Sequence, residues 1–206
     1  MAYASWVTPN KVSGNGDDTV SWSASEHTGR NPRTTTATFA ASGVTPSPTL
    51  TIVQSGKTEF VSFSDSTAAV DKAGGTLTIT GTSNSSKLTF ALTGTNGIGL
   101  VLPSSYTANS VNTNNGAAIS GDPGATQQYA FSITFTGIGE NTTIDSKTSQ
   151  LTVTPNSGSS AAQTCTITQA AGDAYLTISP STITIPAAGT PAQSVTVSSN
   201  TNWTIS

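Results

Sequence analysis

A chain of 206 residues has room for one or two domains with their own cores. Only 8% of the residues are charged and 34% are hydrophobic, with Ser, Thr, Gly and Asn filling the remainder, so the Glu, Lys and Arg that long helices draw on are too scarce to supply them. The formal net charge of −3 comes with no basic stripe, which excludes the electrostatic footprint of a nucleic-acid binder.

Strand-like alternation recurs along the chain. It predicts strands at Thr19–Ala24, Thr34–Phe39, Thr49–Val53, Phe60–Phe63, Thr76–Thr80, Lys87–Leu92, Tyr129–Phe135, Gln150–Thr154 and Thr164–Thr168. The last segment adds Leu176–Ile178, Ile183–Ile185, Val195–Val197 and Trp203–Ile205. Turn clusters at Gly14–Asp18, Gly121–Gly124 and Asn156–Ser160 punctuate the runs. Many short strands at this spacing predict an all-β sandwich architecture. No run of 18 or more apolar residues exists, so no membrane-spanning helix is expected. The opening Met-Ala-Tyr-Ala-Ser-Trp lacks a charged segment followed by an apolar stretch, so no secretory signal is expected.

An internal repeat divides the chain. Leu50-Thr-Ile-Val-Gln-Ser-Gly56 matches Cys165-Thr-Ile-Thr-Gln-Ala-Ala-Gly172 with one extra Ala. Phe60–Phe63 followed by Ala73-Gly-Gly75 matches Tyr175–Ile178 followed by Ala187-Ala-Gly189. New units therefore open near 57 and 174. Residues 57–173 carry a complete strand set, residues 1–56 only later strands, and residues 174–206 only first strands. The outer pieces sum to about 89 residues, near the ~100 of one immunoglobulin-like sandwich.

Ser198-Ser-Asn-Thr-Asn-Trp-Thr-Ile-Ser206 resembles the second-strand signature of BACON domains. Ala4-Ser-Trp-Val-Thr-Pro9, Gly14-Asn-Gly16, Val20-Ser-Trp-Ser-Ala24, Arg33–Phe39 and Leu50–Gly56 resemble the rest of that pattern, in order. The likeness is close in the outer pieces and looser in the middle, where Asn96–Gly124 departs from the pattern and Asn84–Leu88 lacks the Trp. The resemblance implies an immunoglobulin-like fold, which with the repeat gives tandem sandwiches, one complete and one split between the termini. It also implies two settings: virion proteins of crAss-like phages and glycan-active proteins of gut bacteria.

Residues that carry chemistry are few. His27 is the one histidine, in the turn-like Ser25–Arg30, and reads as a loop residue rather than a triad member. One His and one Cys far apart make no zinc site, and Asp17, Asp18 and Asp122 lack the spacing of a calcium loop and read as surface turns. Cys165 takes the repeat position of Leu50 and reads as a buried apolar residue. No cofactor, metal or catalytic residue is expected, and the protein is expected not to be an enzyme. Trp22 alternates in phase with Val20 and Ala24, and Trp203 with Ile205, which predicts core packing. A glycan contact at Trp22 is the competing reading. Asn84, Asn141 and Asn202 fit the N-glycosylation pattern, a chance match in a Ser/Thr-rich chain.

Two strands are marginal alone in water, so each outer piece needs a partner. The expected assembly interface comprises Leu176, Ile178, Ile183, Val195, Val197, Trp203 and Ile205 with Trp6, each fully buried apolar side chain contributing on the order of 1.5–3 kcal/mol. Two geometries fit: the tail completes its own head, or that of a neighbouring copy by strand complementation. The second suits end-to-end domains. The expectation is a structural virion protein on the capsid surface, an auxiliary or head-decoration protein made in the host cytoplasm. Its expected partners are other copies of itself and the major capsid protein, with no nucleic acid or membrane. The alternative is a carbohydrate-binding module or fibre adhering to glycans.

Overall fold

The β-branched runs build nothing but β-structure in the computed structural model, which describes residues 3–156, 161–189 and 192–206. Among the described residues there is no helix, and hence none long and apolar enough to cross a membrane. The strands are β1 (Val7–Pro9), β2 (Trp22–Ala24), β3 (Arg33–Thr38), β4 (Thr49–Gln54), β5 (Val61–Phe63), β6 (Thr67–Val70), β7 (Gly75–Ser83) and β8 (Leu88–Thr93). They continue with β9 (Ser105–Ala108), β10 (Val111–Asn114), β11 (Tyr129–Ile138), β12 (Lys147–Pro155), β13 (Gln163–Gln169), β14 (Leu176–Ser179) and β15 (Thr196–Ser199).

Two sheets share the main core. One has the order β10-β9-β11-β7-β5, the other β6-β13-β12-β8. Every pairing is antiparallel except that of β6 with β13, the last strand of the unit. Period-two alternation turns Phe131, Ile133 and Phe135 of β11 inward against Leu151 and Val153 of β12 and Cys165 and Ile167 of β13. Phe131 meets Phe63 and Phe90 edge-on at 5.9 and 5.6 Å between ring centres. Gly81 on β7 makes room for that ring: a Cβ there would lie 2.3 Å from the Phe131 ring.

The outer segments are different. Residues 3–56 form two separate ladders, β1 with β2 and β3 with β4, and the last segment forms β14 with β15. Among the described residues, the first segment buries only the apolar side chains Val7 and Ala37, and the last segment buries none.

Several boundaries depart from the sequence reading. Thr19–Ser21 lies outside β2, and neither Ile183–Ile185 nor Trp203–Ile205 forms a strand. Those two segments are apolar and β-branched, but among the described residues no strand pairs with them to supply a ladder. Conversely, β6, β9 and β10 arise in stretches with weak alternation. β9 and β10 are joined by Asn109 and Ser110 at φ 48° and 65°, the left-handed pair that a two-residue hairpin turn requires.

Candidate assembly surface

The closed unit, 57–173, carries local hydrogen-bond signatures that recur at both ends of the chain. At its opening strand, the Phe60 amide donates to Asn84 Oδ1 (2.7 Å) and Asn84 Nδ2 donates to the Thr58 carbonyl (3.1 Å). In the last segment the Tyr175 amide donates to Asn200 Oδ1 (3.0 Å) and Asn200 Nδ2 donates to the Asp173 carbonyl (2.9 Å). Ser83 Oγ donates to the Phe60 carbonyl and accepts from the Ser85 amide. Ser199 Oγ does the same with the Tyr175 carbonyl and the Thr201 amide. The ladders agree too: Val61 opposes Ser83 and Phe63 opposes Gly81, while Leu176 opposes Ser199 and Ile178 opposes Val197. β14 and β15 thus have the local geometry of β5 and β7, and between them the Gly189 amide donates to the Pro186 carbonyl as the Gly74 amide does to that of Asp71.

The first segment repeats the end of the unit. Asn141 Oδ1 accepts from the Thr143 amide and its Nδ2 donates to the Asp145 carbonyl. At His27, Nδ1 accepts from the Gly29 amide and Nε2 lies 2.6 Å from the Asn31 carbonyl; the tautomer protonated at Nε2 satisfies both. The Gly172 amide donates to the Thr143 carbonyl, as the Lys57 amide does to that of Gly29. Leu50 opposes Ala37 as Cys165 opposes Leu151. β3 and β4 therefore correspond to β12 and β13.

This correspondence gives the exposed apolar residues a meaning. Ile178 is 55% exposed where its counterpart Phe63 is 9% exposed. With one residue fewer between Asn200 and Trp203 than between Asn84 and Leu88, Trp203 and Ile205 align with Leu88 and Phe90; Ile205 is 88% exposed against 2% for Phe90, and Leu50 is 38% exposed against 0% for Cys165. Leu176, Ile185, Val195 and Trp203 are likewise exposed, and their counterparts Val61, Val70, Ile79 and Leu88 are buried. Between the two ladders of the first segment runs an open groove of about 650 Å³, walled by Val20, Trp22, Ala37, Phe39 and Val44. Apolar faces of this kind mark interaction surfaces.

The two open pieces are held at opposite ends of the closed unit. Arg30 reaches from the first segment to the Ser83 end of β7, where its guanidinium donates to the Asn84 carbonyl (2.6 Å) and grips Asp122 with two bonds of 2.6 and 2.8 Å. It also pairs at 2.9 Å with Glu59, which is buried and accepts from the Ser85 and Ser86 hydroxyls. The guanidinium holds the Asp122 carboxyl below the usual carboxylate range, and Asp122 in turn raises the pKa of Arg30. The last segment is tied to the other end of β7, by Asn200 Nδ2 on the Thr142 carbonyl (3.1 Å). Along β7 this separation is about 26 Å at ~3.3 Å per residue. Among the described residues, no strand of the first segment pairs with one of the last.

The predicted residues fall as follows. Leu176, Ile178, Ile183, Val195, Trp203 and Ile205 are exposed, and Val197 is half-buried. Trp22 lines the groove, its ring edge-on to Tyr3 at 5.3 Å. Trp6 does not line it; the guanidinium of Arg33 covers its ring at 4.5 Å. Cys165 is fully buried, and burial pushes its thiol pKa up. His27 spends both ring nitrogens on its own turn. Asp122, read from the sequence as a surface turn, is instead part of the Arg30 clasp. Sequence reasoning also missed Glu59, whose one available signal was a carboxylate just before an apolar strand. Among the described residues no cluster of His, Cys, Asp or Glu has the makings of a metal site. No family model matches the chain, and no curated protein matches it.

Proposed function

We propose that this is a structural protein that assembles by strand complementation, the last segment of one copy entering the groove of the first segment of another to close an immunoglobulin-like sandwich. The observation that carries this reading is the match, position by position, between the exposed apolar residues at both ends and the buried core of the closed unit. Anchorage about 26 Å apart along β7 favours closure between copies over closure within one. Head-to-tail exchange of this kind is heterologous, so it closes a ring or extends as a filament. Tandem sandwiches, one complete and one split, then form a continuous lattice element.

Such an element suits the surface of a phage capsid, where many identical copies are locked in place without chemistry. We take the protein to be an auxiliary capsid or head-decoration protein of a crAss-like phage, in contact with the major capsid protein and with its own copies. The likeness to BACON sequences supports that setting. Antibody against residues 57–173, imaged on such particles, tests it: label over the capsid surface is expected, and label confined to unassembled material contradicts it. A glycan array tests the competing adhesive role. Selective binding abolished by Trp22→Ala would transfer the groove from assembly to sugar recognition.

A further inference from the structure

Resting on the strand-complementation reading, we infer the register of the exchange: residues 182–185 of one copy add as a parallel strand to the free edge of β4 in another, with Ile183 opposite Ile52. The closed unit supplies the template. There β6 lies parallel to β13, with Thr166 opposite Thr67, Ile167 opposite Ala68, Thr168 opposite Ala69 and Gln169 opposite Val70. β4 corresponds to β13 and forms a ladder on one side only, with β3. An unpaired strand edge of this length is a template for another chain. Ile183–Ile185 corresponds to β6, is apolar and β-branched, and has no ladder of its own.

Carrying the register across places Thr182 opposite Thr51, Ile183 opposite Ile52, Thr184 opposite Val53 and Ile185 opposite Gln54. The faces agree. In the closed unit Thr168 and Ala69 look outward while Ile167 looks into the core and Ala68 is partly buried. In the open pieces the counterparts of the outward pair, Val53 and Thr184, are exposed, whereas Ile52 is half-buried. A shift by one residue would turn Ile183 and Ile185 to solvent and Thr184 inward, so the apolar pattern fixes the register.

The same template places residues 203–205 beside residues 39–41, which continue from β3, as β8 pairs with β12. Trp203 and Ile205 then reach the groove wall at Phe39 and Ala41.

Cysteines at the outward pair test the register without touching the core. Full-length Val53→Cys and Thr184→Cys variants are mixed, oxidised and run on a non-reducing gel, with sedimentation recorded in parallel. Val53→Cys mixed with Thr182→Cys is the control, two residues out of register and beyond disulfide reach. The inferred register gives about tenfold more crosslinked dimer in the first mixture than in the control. Association with equal crosslinking in both mixtures overturns the register while leaving strand complementation standing. Absence of association at any concentration overturns the reading beneath it.

Discussion

The closed unit and the two open ends are made of the same parts, and the difference between them is closure. In residues 57–173 both sheets are present, so Phe63, Phe90, Leu151 and Ile167 lie in one shared core. In the outer segments the same local turns and ladders form, yet Ile178, Leu50 and Ile205 face solvent. Local hydrogen bonds such as those of Asn84 and Asn200 thus form with or without a covering sheet; on the proposed reading, the burial comes from the second half of the sandwich.

The strongest way to break this comparison is to truncate equivalent residues on each side of it. Phe90→Ala should cost the isolated chain about 3–5 kcal/mol, read as a drop in the urea midpoint. Ile205→Ala, at the matching position, should leave the stability of the unassociated chain within about 0.5 kcal/mol of the parent. Equal losses would mean that the last segment is already packed within its own chain.

Next in size is the clasp. Arg30→Ala leaves Glu59 buried without its cation, a loss of about 3 kcal/mol, and calorimetry should show the first segment detaching from the closed unit. Arg30→Lys should recover only part of it, because the fork that grips Asp122 is lost.

Ile178→Asp should weaken association by roughly 10- to 150-fold, the equivalent of one buried side chain at 1.5–3 kcal/mol, while the urea midpoint of the closed unit stays put. Sedimentation of variant and parent at matched concentrations reads this directly.

The smallest effect expected is on acid stability. Asp122 has its pKa lowered in the fold by the hydrogen bond from Arg30. Its contribution is therefore complete above the ordinary carboxylate pKa of about 3.9 and lost as pH falls through the depressed folded value. Asp122→Asn should flatten that part of the stability profile, and an unchanged acid slope would remove Asp122 from the clasp.

Most strands were legible because Thr, Val and Ile alternate along them, and the repeat was legible because Leu50–Gly56 and Cys165–Gly172 share their last-strand residues. β6 was not, since Thr-Ala-Ala-Val offers little contrast between faces; its parallel seat beside β13 decides it. β9 and β10 escaped notice because Ser, Asn and Thr dominate them. They are held by Tyr106, whose hydroxyl accepts from the Leu88 amide and whose ring packs on Phe90. The apolar surfaces of the last segment were readable residue by residue. The Arg30–Glu59–Asp122 clasp was not, because it joins positions far apart in sequence through side chains that looked like loop charges.

The most direct test of the central claim is the mass of the full chain in solution as concentration rises. Sedimentation equilibrium should give a weight-average mass climbing above the 20.7 kDa of one copy, and Ile178→Asp combined with Ile205→Asp should hold it at one copy. A parent chain that stays at one copy across the whole range would contradict the account.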